Sequence, residues 1–450
     1  MKKRYNFLLG LFAATVIFSG CSQQTAVAPV EIVPESSVVE SSAVESSAAE
    51  SAAAGSSAAA AEASSEAAAQ GSSAAGSDTQ SSAAAGSSAA GGSTTGSSTT
   101  GSTPTGGIAT TSSDINATPA KKTRVVDPNN LIRSELTNEW IDGSLKNQRP
   151  VAVMVDNELY ALPHYGVNDG DIVYEIMNST ENNRVTRLMV VLKDWEYINR
   201  LGSIRSVRTT NFMVAAEYNA ILCHDGGPFY INDYTSKAYV NNLSGGFARF
   251  SNGKATEFTE YVTYDSYTNT QKGQTYSGLG TRIKNAKYST EYNSYYPGKH
   301  FNFSDNEFKL SDSNSTVSAT TVDLSSVFPH NGSKLFYNAS TGTYDYYEYG
   351  EYHKDAATGE VTTFKNVILQ SCSFYNLDAN GYLTYNVVGS GNDGYYITNG
   401  EAIPITWSKG SETALTVFKN KATGEEITLN TGKTYIAIVP SDTWSQLTLK

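Results

Sequence analysis

Two rhythms of apolar and polar positions run through the second three quarters of this chain. Val151-Ala152-Val153-Met154-Val155 is a short unbroken apolar run between Pro150 and Asp156. Such a run predicts a strand buried on both faces. Asp171-Ile172-Val173-Tyr174-Glu175-Ile176, after Asp169-Gly170, predicts a second strand, and Arg187-Leu188-Met189-Val190-Val191-Leu192 a third. From Thr209 to Tyr218 the apolar positions Phe212, Met213, Ala216 and then Ala220 suit an amphipathic helix. Ala220-Ile221-Leu222-Cys223-His224 predicts a strand that ends at Asp225-Gly226-Gly227. Residues 128–280 therefore read as strands with interspersed helices.

Residues 285–450 carry stronger β signals. Asn366-Val367-Ile368-Leu369-Gln370, the stretch from Tyr382 to Val388, and Tyr435-Ile436-Ala437-Ile438-Val439-Pro440 are rich in β-branched and aromatic residues. Asp378-Ala379-Asn380-Gly381 and Ala422-Thr423-Gly424-Glu425 supply hairpin-type turns. An antiparallel sheet with few helices is expected here.

Before residue 121 neither rhythm exists. Residues 22–120 are mostly Ser, Ala, Gly, Thr and Glu, with nine acidic residues and no Lys or Arg. That composition buries too little apolar surface to offset chain entropy. Residues 21–120 thus read as a disordered tether, with an r.m.s. span on the order of 55 Å. Ahead of it, Met1-Lys2-Lys3-Arg4, an apolar run from Phe7 to Phe18 and Ser19-Gly20-Cys21 form a secretory signal over residues 1–20. The apolar run is too short to span a bilayer as a mature helix. Cys21 after Ser-Gly resembles a bacterial lipobox, although Phe18 stands where Leu is usual. The resemblance implies that the Cys21 thiol is diacylated (palmitate-type chains) and anchors the protein to the membrane on its extracytoplasmic face.

Of the 450 residues, 32 are Lys or Arg and 44 Asp or Glu, a formal charge of -12. No basic block exists beyond the signal, so nucleic acid is not an expected partner. Cys223 and Cys372 are the other two cysteines. An exported protein could pair them, but two buried thiols are the simpler expectation.

Several motifs occur in a telling order: Arg149-Pro150-Val151 through Asp156-Asn157, Asp171 to Glu175, Thr186-Arg187, Gly202-Ser203-Ile204-Arg205-Ser206-Val207-Arg208 and His224-Asp225-Gly226-Gly227. Asn366 to Gln370, Val388-Gly389-Ser390-Gly391 and Thr406-Trp407-Ser408-Lys409 follow. Together they resemble the YerB-like lipoproteins, which carry paired N- and C-terminal domains of unknown function 3048. The resemblance spans roughly residues 145–445. It implies an α+β fold, a layered β-rich sandwich with helices, and brings no settled activity with it.

Arg205 and Arg208 sit three apart just before the predicted helix, with Ser203 and Ser206 between or beside them and Arg187 upstream. A helix start offers free N–H groups, and Arg offers planar recognition of carboxylate or phosphate. The chemistry suits a peptidoglycan carboxylate, a teichoic-acid phosphate or a lipid phosphate; an envelope protein is the other partner considered. The plainer alternative pairs each Arg with a framework carboxylate such as Glu175 or Glu217. A hydrolase or transferase acting on wall polymers would instead use His224 as acid or base with Asp156, Asp171 or Glu175. Cys223 and His224, adjacent in a strand, point to opposite faces and make no nucleophile–base pair. No spacing matches a metal signature, a dinucleotide fingerprint or a phosphate loop, so no metal and no cofactor are expected. Tyr344-Asp345-Tyr346-Tyr347-Glu348-Tyr349-Gly350-Glu351-Tyr352 reads as cross-strand Tyr pairs in a hairpin, or as a stacking platform for glycans.

Overall fold

A computed structural model describes residues 123–450. Cys21, the signal and the tether expectation lie outside the described residues. In the first half β1 (Val151–Asp156), β2 (Ile172–Met177), β3 (Thr186–Leu192), α1 (Thr209–Glu217), β4 (Ile221–His224) and β5 (Asn241–Ser244) follow the expected sequence of elements. The second half supplies β6 (Lys334–Asn338), β7 (Thr343–Glu348), β8 (Asn366–Cys372), β9 (Leu383–Tyr385), β10 (Gly389–Thr398), β11 (Glu401–Lys409) and β12 (Thr434–Pro440). Strand outweighs helix throughout. Among the described residues no helix is long and apolar enough to cross a membrane.

One sheet of 11 strands runs through both halves of the chain. Its order is Val317–Ser318, β11, β10, β8, β12, β2, β3, β1, β4, β5, with Thr416–Asn420 also paired to β11. The joint is β12 beside β2, parallel, in register from Ile172↔Thr434 to Ile176↔Ile438. β12 also runs parallel to β8. The antiparallel expectation for the second half fails at this strand. Apolar content reported that all seven residues of β12 are buried, but burial is blind to strand direction. The larger of two hydrophobic clusters among the described residues includes Val153 and Val190 from the first half and Ile368 and Ile436 from the second.

Alternation along β2 shows what covers each face. The Tyr174 hydroxyl meets the Tyr218 hydroxyl, just past α1, at 2.6 Å. Its neighbour Glu175, facing the other way, accepts from Ser333 and Tyr346 at 2.7 and 3.1 Å. Tyr346 belongs to β7, and β7 and β6 are part of a second sheet of 6 strands. The helix therefore covers one face of the large sheet and the small sheet covers the other, a layered arrangement.

α1 departs from the amphipathic expectation: all nine of its residues are buried. Its polar side chains serve as fasteners. Thr209 Oγ1 donates to Thr384 Oγ1 at 2.7 Å, and the Tyr385 N–H donates to Thr210 Oγ1 at 3.0 Å, both on β9. Asn211 accepts from the Arg208 N–H at 2.8 Å and closes the helix start.

The tyrosine-rich stretch forms cross-strand pairs. Tyr344 and Tyr346 point into the core, and Tyr347 meets Tyr352 edge-on at 5.6 Å. It is therefore not a row of open ring faces. Cys223 and Cys372 are free and buried, and burial pushes both thiols up to about 12. A thiolate is the reactive form. Native protein will therefore leave these two thiols unlabelled by a disulfide reagent over a time in which denatured protein reacts at both. Fast labelling of either in native protein would contradict this packing.

Candidate functional site

β1, β2 and β4 run in one direction, and their C-terminal ends meet the start of α1. Backbone pairing explains why the polar residues gather there. Residues 203–208 lie across the ends of β1 and β4: the Asp156 N–H donates to Ser203 O at 2.9 Å, Arg205 N–H to Met154 O at 3.1 Å, and Asp225 N–H to Arg205 O at 3.1 Å. Register puts Arg187 of β3 opposite both Asp156 of β1 and Ile176 of β2. Three guanidiniums, those of Arg187, Arg205 and Arg208, thus share one corner of the sheet. Side chains converging from several strand ends are a usual setting for a binding site.

The charges in this corner do not balance. Arg205 Nε pairs with the buried Asp156 carboxylate at 3.0 Å. Glu175 and Glu217 do not neutralise the other two, because Glu175 is taken by hydroxyls and Glu217 by Lys409 at 3.0 Å and His300 at 2.6 Å. Arg187 Nη1 donates to Asn178 Oδ1 at 2.9 Å and to the Ser206 carbonyl at 2.8 Å. Arg208 Nη1 donates to the Val207 carbonyl at 3.0 Å, and its guanidinium stands 4.9 Å from the Tyr382 ring. Burial, then repulsion from Arg187, pushes Arg208 down to about 9. Arg187 keeps some surface, but protein atoms crowd it, and burial pushes it to about 10 despite Asp156. A guanidinium keeps its proton in practice. The downward push therefore reports the cost of burying these two charges, which Asp156 offsets only in part at Arg187.

A small cavity of about 10 Å³, room for about one oxygen-sized group, opens in this corner. Its walls include Arg187, Arg208, Asn178, Asn211 and Tyr385. Arg187 Nε, Arg208 Nε and the Tyr385 hydroxyl are buried without a hydrogen-bond partner. Unpaired buried donors are uncommon in native proteins. Three on the walls of one positive cavity call for an acceptor there.

Five residues expected at an anion site are therefore close in space, with different parts to play. Arg187 and Arg208 line the cavity, and Arg205 stands at the surface, its side chain 32% exposed. Ser206 orients Arg187. Ser203 is a correction: its side chain is fully buried and makes no hydrogen bond, and only its carbonyl is used. The contributions of Asn178, Tyr382 and Tyr385 had no local signal. Asn178 meets Arg187 through the β2–β3 hairpin, while Tyr382 and Tyr385 become neighbours only when β9 docks on α1.

The acid–base alternative is not assembled. His224 is 1% exposed and packs edge-on against Phe212. Its Nδ1–H donates to Gly226 O at 2.8 Å and its Nε2 accepts from Asn242 at 3.1 Å. Both ring nitrogens are thus spent on framework groups, and neither meets Asp156, Asp171 or Glu175. Asp171 accepts from the Lys193 N–H at 2.7 Å instead. A histidine at a strand end looked like a base in the sequence because its partners, a carbonyl and an amide, leave no motif.

Residues 136–279 match the N-terminal domain, and residues 322–436 the C-terminal domain, of the family described as protein of unknown function DUF3048. The chain belongs to this family. It is 24% identical over 327 residues to “Putative lipoprotein YerB” of Bacillus subtilis (strain 168), covering 71% of this chain and 90% of that protein. The crystal structure of YerB from Bacillus subtilis superposes with a TM-score of 0.57 at 20% identity, over 71% of this chain and 99% of that one, and shows the same fold.

Proposed function

We propose that this protein is a lipid-anchored, extracytoplasmic binding protein whose Arg187–Arg205–Arg208 corner takes the carboxylate or phosphate of a cell-envelope component. The observation that carries the reading is the set of three unpartnered donors around a positive cavity. One oxygen of the ligand enters between Arg187 and Arg208, and the rest lies outside along Arg205 and Ser206. Peptidoglycan carboxylates, teichoic-acid phosphates and polyprenyl phosphates share the required chemistry. The lipobox-like Cys21, together with the name of the Bacillus relative, supports the anchor.

Stability and binding will separate at Arg208. Replacing a buried, unpaired charge by an apolar side chain of similar length is neutral or favourable, by about 1–2 kcal/mol. Arg208→Met will therefore raise the unfolding temperature of the free protein. The wild type will gain a further rise with a muropeptide, a teichoic-acid fragment or a polyprenyl phosphate, as expected for a ligand that binds only the folded state. Arg208→Met will lose that rise. An Arg208→Met protein less stable than wild type, with no ligand shift in either, would mean that the arginine is a structural strut.

A further inference from the structure

A second polar cluster, on the opposite side of Asp156, has lone pairs where it needs a cation. His164 lies in the connection from β1 to β2, while Glu348 ends β7 and His353 follows the short strand Glu351–Tyr352 that folds back on it. All three are buried. His164 Nδ1 and His353 Nε2 stand 2.9 Å apart, and Glu348 Oε1 lies 3.8 Å from the same Nε2.

The far nitrogens settle the tautomers. His164 Nε2 is 2.6 Å from the Asp156 carbonyl, which can only accept, so Nε2 carries the hydrogen. His353 Nδ1 is 2.7 Å from Thr362 Oγ1, and that hydroxyl gives its own hydrogen to Asn168 Oδ1 at 2.5 Å. Thr362 therefore accepts, and His353 Nδ1 carries the hydrogen. Each imidazole then turns a bare lone pair toward the other. Glu348 Oε1 accepts no hydrogen bond, although the Asn157 and Asn331 amides lie near enough to favour its charge. The two imidazole lone pairs, facing each other at 2.9 Å with the Glu348 carboxyl within 4.8 Å of both, repel unless a cation sits between them.

We propose that His164 Nδ1, His353 Nε2 and Glu348 Oε1 bind one divalent transition-metal ion, with zinc the best match. Two imidazoles on zinc, with bonds of about 2.0–2.1 Å, stand about 2.9 Å apart at a right angle and about 3.3 Å at a tetrahedral angle. The observed pair needs little adjustment, and Glu348 Oε1 stands 3.8 Å from one of its two nitrogens. Two imidazoles and a carboxylate suit zinc, and hydrogen bonds from the far nitrogens to a carbonyl and a hydroxyl are the usual outer support of such ligands. The ion would clamp the β1–β2 connection to the β7 hairpin. It would also steady Asp156, whose carbonyl holds His164 while its carboxylate holds Arg205. The site stands independently of the anion corner.

The test is metal content. Full-length protein purified without chelator, exposed to zinc and desalted, will hold about one equivalent per chain by elemental analysis. X-ray absorption will show nitrogen and oxygen neighbours at about 2.0 Å with imidazole scattering and no sulfur. Glu348→Gln and His353→Ala will fall below a tenth of an equivalent, while His330→Ala, a histidine outside the cluster, will keep its metal. Wild type that stays below a tenth of an equivalent with zinc, cobalt, nickel, iron(II) and manganese would overturn the proposal and leave a shared proton as the cation. Metal retained by His353→Ala, or absorption without imidazole, would overturn it as well. The absorption measurement uses wild type alone, so a misfolded variant does not blunt the test.

Discussion

Glu217→Gln will lower the stability of the folded protein by about 3–5 kcal/mol, the usual loss when one partner of a buried ion pair is removed. Glu217 ends α1, 2% exposed. It pairs with Lys409 Nζ at 3.0 Å and His300 Nε2 at 2.6 Å, and accepts from the Thr416 N–H at 3.0 Å and its hydroxyl at 2.9 Å. The glutamine would leave the Lys409 ammonium, whose side chain is 0% exposed, without its counter-charge. The same group shapes the acid limb. Burial alone would push its carboxyl up, but Lys409 and then His300 pull it down to about 2, against an ordinary 4.5. A depressed carboxyl contributes stability that is present above the ordinary value and is lost as pH falls through the folded value. The difference corresponds to about 3 kcal/mol. Denaturant unfolding from neutral pH down to pH 2 will therefore show a steeper decline in wild type than in Glu217→Gln, which keeps only the losses from other depressed carboxyls such as Asp323 and Asp442. A variant within about 1 kcal/mol of wild type at neutral pH would show that this network is not what ties α1 to β11.

The fold was legible where burial alone decided it. β1, β2, β3, β4, β8 and β12 were all visible as apolar runs, because a strand covered on both faces has little room for polar residues. Strand direction was not visible, and the layering followed from the family resemblance rather than from the apolar pattern. Nothing in Thr434–Pro440 says that it lies parallel between β8 and β2, since that depends on how the second half of the chain returns to the first. α1 looked amphipathic because Thr209, Thr210, Asn211 and Glu217 are polar, yet each is used in a specific bond to a segment far away in sequence or to the helix cap. At the arginine corner, the spacing of Arg205 and Arg208 singled out two of the three guanidiniums that the structure brings together, and Arg187 beside Asp156 is the third. Asn178 and Tyr385 did not stand out, because neither residue type nor spacing marks a cavity wall. His164, Glu348 and His353 were missed for the same reason more strongly: the first is nearly two hundred residues from the others, and no metal signature spans such a gap. His224 erred in the opposite direction. Its neighbourhood of Asp and Gly suggested chemistry, and the structure uses Nδ1 to close the turn at Gly226 and Nε2 to hold Asn242 on β5.

Glu175→Ala will also cost about 3–5 kcal/mol, for a different reason. The carboxyl of Glu175 is the common acceptor for Thr186 at 2.8 Å, Ser333 at 2.7 Å, Tyr346 at 3.1 Å and Tyr435. Thr186 and Tyr435 belong to the large sheet, Tyr346 to the small one, and Ser333 precedes β6. Alanine would leave three buried hydroxyls, those of Thr186, Ser333 and Tyr435, short of this acceptor, each a desolvated group with its bond lost, while Tyr346 keeps Glu348 Oε2 at 3.2 Å. Glu175→Gln keeps one oxygen as an acceptor and should cost much less. The pH dependence gives an independent reading. Tyr346 has one proton but touches both Glu175, at 3.1 Å, and Glu348, at 3.2 Å. Burial, then the Glu175 charge, pushes Glu348 up to about 8. A carboxyl raised on folding contributes stability that is fully present below its ordinary value of 4.5 and is lost as pH rises through the folded value. Metal-stripped wild type should therefore lose stability between about pH 5 and 8. Burial pushes the Glu175 carboxyl up as well, so Glu175→Gln removes one raised carboxyl, lets Glu348 ionise more easily and makes that decline shallower. Equal losses in the alanine and glutamine variants, with the same slope in both, would mean that the two sheets are held by apolar packing around Tyr346 and Tyr435, and that the shared carboxyl adds little to it.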